Sequence, residues 1–117
     1  MNEVVEVVTT GPAKAIEELA NRIVRERLAA CVHLTDIRSV YWWESELTQA
    51  TETRAAFHTT IGNARAISDR ILHLHPYDVP CCVTTALETA PAYGRWVANE
   101  TKAVVSSAPE EPRAPLE

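Results

Sequence analysis

The sequence predicts an α+β fold of the split β-α-β, or ferredoxin-like, type. Its elements run β-α-β-β-α-β with an added C-terminal helix, and both main helices lie on one face of an antiparallel sheet. Three observations predict it. Four separate runs are rich in β-branched or aromatic residues, and two stretches between them repeat apolar residues at three- and four-residue spacing. The third is Tyr41-Trp42-Trp43, which sets large rings on both faces of a strand in a chain with one Phe, three Tyr and three Trp.

Residues 3–9 (E-V-V-E-V-V-T) are apolar on both faces and read as a central strand. Gly11-Pro12 turns the chain, and Thr10 or Gly11 is placed to cap the helix that follows. Ile16, Leu19, Ala20, Ile23, Val24 and Leu28 form that helix's apolar face. Residues 30–44 return to a strand pattern, with a bend or bulge expected around Asp36. A polar turn near Glu44-Ser45-Glu46 leads into a second long strand, 47–60, and the two make a long hairpin. Residues 62–75 carry Ala64, Ile67, Ile71, Leu72 and Leu74 at helical spacing, and Pro76 stops the helix. A short strand is expected at 81–87. Pro91 then opens a last helix to about residue 102, with Tyr93, Trp96 and Val97 as its apolar contacts. One domain over residues 1–105 and a disordered tail over 106–117, rich in proline, complete the reading.

Helices on one sheet face leave the other bare. Val5 or Val4, Phe57 or Ala56, and one set of rings from 41–43 are then expected in water unless something covers them. A second copy of the chain is the economical cover.

Composition narrows the function. The 117 residues are 46% hydrophobic and 23% charged, an ordinary balance for a globular domain. A formal net charge of −5 argues against nucleic acid or an anionic membrane as the main partner, because both need a basic patch. No apolar run is long enough to span a membrane and the acidic start (Glu3, Glu6) does not read as a secretory signal, so a cytoplasmic location is expected. Cys31, Cys81 and Cys82 have neither disulfide-framework nor zinc-knuckle spacing.

E-R-L-A-A-C-V at 26–32, S-V-Y-W-W-E at 39–44 and H-P-Y-D-V-P at 75–80 stand in order along the chain. With them the sequence resembles the CutA family of divalent-cation tolerance proteins over about residues 3–102. The resemblance implies a homotrimer joined through the long hairpins, a cytoplasmic role in tolerance of copper and other divalent metals, and no settled catalytic activity. Some members carry a Cys near the end of strand one and a His just before the His-Pro pair, both suggested as copper ligands. Thr9 and Leu74 stand in those places here, which leaves His75. Ser45-Glu46 replaces the family's frequent Gly-Lys, and His58-Thr59 replaces a Lys-Thr pair.

His75 is accordingly the first metal candidate, since neutral imidazole suits copper and zinc; a helix-capping histidine is the plainer alternative. Cys81 joins it if the last strand lies near His75 or His58, because a thiolate with imidazole favours Cu(I) or zinc. Cys31 and His33 share a strand face, with Cys31 expected beneath the first helix and His33 buried beside it. His73 and His75, about 200° apart on a helix, do not converge. Tyr41, Trp42, Trp43, Glu44, Glu52, Arg54, Tyr77 and Asp78, with His58, form a second constellation, expected at an inter-subunit cleft or in an interface network. No nucleophile elbow, acylphosphatase-like anion cradle or RNP pattern is present. Two functions follow. One is a trimeric copper or divalent-metal tolerance protein, self-associating, without catalysis and needing no cofactor to fold. The other is a trimeric PII-like module whose clefts hold a small anion or a partner's loop.

Overall fold

The structure is a computed structural model and describes residues 3–102. The elements are β1 (Val4–Gly11), α1 (Ala13–Arg25), β2 (Cys31–Trp43), β3 (Glu46–Thr60), α2 (Ile61–Leu74), β4 (Val83–Ala86) and α3 (Pro91–Glu100). The sheet runs β2-β3-β1-β4 and every pairing is antiparallel, which is the split β-α-β arrangement. β2 and β4 form its outer edges. The tail expected to be disordered lies outside the described residues.

Strand alternation divides the sheet into two faces. Val5 and Val7 of β1 and Ala55 and Phe57 of β3 point one way. There they form a core with Ile16, Leu19, Ala20 and Ile23 of α1 and Ala64, Ile67 and Ile71 of α2. Each large side chain withdrawn here contributes about 1.5–3 kcal/mol of transfer free energy. Leu72 and Leu74, expected in that face of α2, remain exposed near the helix's end. α1 stops at Arg27, whose φ is 64°. The Arg27 N–H bonds the Val24 carbonyl and the Leu28 N–H bonds the Ile23 carbonyl, a Schellman ending that seats Leu28 in the core.

The second face is not bare, contrary to expectation. α3 lies across β1 and β3, so Val4 and Ala56 on that face are buried by the same chain, as are Val5 and Phe57 on the other. Gly94 permits the approach: a Cβ there would stand 2.8 Å from Thr89 Oγ1 and 3.7 Å from Val4 Cγ2. Val97 is the fully buried contact of α3, whereas Tyr93 is half-buried and Trp96 exposed.

What remains uncovered is the edge strand β4, exposed along its length, and most of β2 with the far half of the hairpin. Its register is unbroken from Cys31↔His58 to Trp43↔Glu46, so no bulge forms at Asp36. Leu34, Val40 and Trp42 alternate along one side of β2, and Leu47 sits opposite Trp42. Trp42 is 72% exposed and Val40 62%. The two-residue turn places Glu44 at φ 51° and Ser45 at φ 68°. It is therefore a left-handed turn made without glycine.

Candidate functional site

The His-Pro turn and the hairpin meet at a cleft. α2 ends at Leu74, and His75 takes extended backbone angles as Pro76 demands. The His75 ring is buried. Its Nε2–H donates to the Thr10 carbonyl at 2.8 Å and its Nδ1 accepts from the Tyr77 N–H at 3.1 Å. This pattern requires the neutral ring with its proton on Nε2. Gly11 makes the seat: a Cβ there would meet Nε2 at 2.8 Å. His75 thus holds the 75–82 turn onto the end of β1, and a metal at either ring nitrogen has to displace one of these bonds.

Tyr77, set by that seat, reaches the hairpin. Its O–H donates to Glu52 Oε2 at 2.7 Å, and Ser39 donates to Oε1 at 2.7 Å. Glu52 is only 6% exposed. Burial, followed by the Glu52 carboxylate, pushes the Tyr77 phenol up to about 12. Above this pair opens a cleft of about 870 Å³. Tyr41, Trp42 and Trp43 line the hairpin side and Tyr77, Asp78 and Cys81 the turn side, with Glu52 between them. The lining includes no Lys, Arg or His.

Other expected members stand elsewhere. Glu44 belongs to the exposed hairpin turn. Arg54 Nη2 lies 3.7 Å from Glu6 Oε1. His58 is sited under α3 on the second sheet face, where Nδ1 is 2.6 Å from Tyr93 Oη and Nε2 is 2.9 Å from Glu6 Oε2. Tyr93 Oη is also 3.3 Å from Cys31 Sγ. The thiol that approaches His58 is therefore that of Cys31 and not that of Cys81. Cys31 faces α3 rather than lying beneath α1, and His33 is exposed with its ring edge-on to His58 at 5.2 Å. Burial, then the neighbouring Cys31, raises Tyr93 to about 12. β4 begins only at Val83, so Cys81 and Cys82 precede the strand. Cys81 is exposed in the cleft, whereas Cys82 packs partly against the core and burial raises its thiol despite a hydrogen bond with Ser68. Among the described residues no three His, Cys, Asp or Glu side chains converge as a metal site.

The family model described as CutA1 divalent ion tolerance protein matches residues 4–100. The chain belongs to the CutA1 family. A divalent-cation tolerance protein CutA from Pyrococcus horikoshii is 34% identical over 98 residues, covering 82% of this chain and 96% of the relative. The crystal structure of the divalent ion tolerance protein CutA1 from Ehrlichia chaffeensis superposes with a TM-score of 0.82 at 28% identity, over 87% of this chain and 98% of that one. The PII-like protein CutA from Nostoc sp. PCC 7120, in apo form, gives 0.81 at 26% identity, over 87% and 99%. The CutA family takes its name from divalent-cation tolerance and not from a reaction. No helix among the described residues of this CutA chain is long and apolar enough to cross a membrane.

Sequence reasoning missed Ser39 and Thr10 as parts of this CutA cleft. Ser39 shares the strand face of Tyr41 and Trp43, so counting back by two from the rings finds it. Thr10 contributes a backbone carbonyl, for which side-chain identity gives no signal. The Cys31–Tyr93–His58–Glu6 chain needed the placement of α3, which the sequence reading left off the sheet.

Proposed function

We propose that the chain is a homotrimeric, cation-responsive binding protein of the divalent-ion tolerance type, working in the cytoplasm without catalysis of its own. The observation that carries this reading is the lining of the cleft: two carboxylates, a thiol and aromatic side chains with no basic group, which favours a positive ligand. A small anion meets no cationic side chain there. Cys81 with Asp78 supplies the thiolate and carboxylate donors for copper or another thiophilic divalent ion, and His75 positions their turn. With no three-ligand set formed in one protomer's described residues, the ion's remaining ligands are water or a neighbouring copy, which suits transient binding. Self-association is supported by the exposed stripe of Val40, Trp42 and Leu47. Three free cysteines suit a reducing compartment.

Equilibrium dialysis against Zn²⁺ and Cu⁺ tests the metal reading. Saturable uptake is expected, weakened in Cys81→Ser and Asp78→Asn. Uptake equal in all three proteins removes Cys81 and Asp78 from the site.

A second reading is favoured by the cleft's size, which lies within the range of small-molecule sites, and by likeness to the PII-like protein from Nostoc. In it the trimer reports an organic ligand in place of a metal.

A further inference from the structure

Glu52 is the most confined charge in the cleft. It is 6% exposed, and both carboxylate oxygens accept from hydroxyls, Ser39 on one and Tyr77 on the other. Hydroxyl donors satisfy its lone pairs without neutralising it. Among the described residues it makes no ion pair, and the nearest basic side chain on its own strand face, Arg54, is turned toward Glu6. A buried, unneutralised carboxylate carries a desolvation cost that a cation would offset.

The walls around Glu52 specify which cation. A divalent metal needs several oxygen, nitrogen or sulfur donors converging on one point, and no such trio exists among the described residues. Tyr41, Trp43 and Tyr77 instead offer π-systems, and the space of about 870 Å³ far exceeds a bare ion. Aromatic faces around one carboxylate recognise an ammonium group through charge and cation–π attraction, while taking its alkyl part against apolar surface.

We propose that the floor of this cleft binds a small alkylammonium ion, its charge directed at Glu52 and its carbon atoms against the rings of Tyr41 and Trp43, which share the Glu52 face of the hairpin. The proposal rests on the cation-seeking reading of the cleft and adds a ligand class distinct from the metal at the turn.

Tetramethylammonium, with tert-butanol as a neutral probe of similar size, tests it on the full chain by indole fluorescence. Saturable change with tetramethylammonium is expected, at affinity roughly tenfold or more above tert-butanol, and reduced by about the same factor in Glu52→Gln. Trp43→Leu is expected to weaken binding too, with Trp42 and Trp96 left as reporters, and it decides the matter should Glu52→Gln fail to fold. Equal affinity for the two probes, undiminished binding in the variants, or no saturable change overturns the proposal; the last is also the result if a lysine or arginine of a second copy fills the cleft. Zinc uptake without tetramethylammonium binding defeats this inference alone, whereas loss of both defeats the cation reading of the cleft.

Discussion

Glu44 and Ser45 hold backbone angles that cost an ordinary L-residue about 1–2 kcal/mol each, because Cβ crowds the following carbonyl. The chain accepts this cost because a two-residue turn of this hand matches the twist of the strands it joins. Replacing the pair by Asn-Gly is therefore expected to stabilise the protein by about 1 kcal/mol per chain, read as a raised thermal midpoint. An unchanged or lowered midpoint would show that the turn is held by contacts outside the hairpin. At this scale the sequence was partly legible. A polar turn between apolar runs is visible in S-V-Y-W-W-E-S-E, but its left-handed geometry is hidden because the usual glycine is missing. His75 was likewise visible as an imidazole beside a proline. Its use was not, since both hydrogen-bond partners are backbone groups, one of them 65 residues away.

Tyr93 ties α3 to the sheet, and its proton makes the tie sensitive to alkali. Its hydroxyl lies between Cys31 and His58, and burial first, then Cys31, raises it to about 12, against about 10 for a free phenol. The unfolded chain therefore loses this proton at lower pH than the folded one, so stability is fully present below about pH 10 and is lost as pH rises toward 12. Tyr77 adds a contribution of the same sign. Denaturant midpoints from pH 9 to 12 are expected to fall, less steeply in Tyr93→Phe; equal slopes would disconnect Tyr93 from the effect. The elements themselves were legible because their patterns are strong: helical spacing in Ile16–Ile23 and β-branched alternation in β1 place the main core correctly. α3's position was not. One fully buried valine is a weak signal, and what brings this helix to Val4 is the absence of a side chain at Gly94.

At the scale of the whole molecule, the question raised by the aromatic ribbon has two answers. α3 covers the sheet over β1 and β3, while the far hairpin, with Trp42 72% and Leu47 59% exposed, has no cover among the described residues, and the proposed assembly supplies one. Sedimentation is expected to give about three times the 13.0 kDa chain mass. The double variant Trp42→Glu, Leu47→Lys is expected to sediment near one chain mass with its circular dichroism retained. A wild-type species of single-chain mass would contradict the assembly. The open flank of β2 gives this expectation a further edge. Thirteen residues long, it runs the length of the ribbon and presents unspent N–H and C=O groups beside bulky apolar rings. In a lone copy that flank would offer a second chain a ready edge to pair with, so an unassembled mutant is expected to be the form that aggregates.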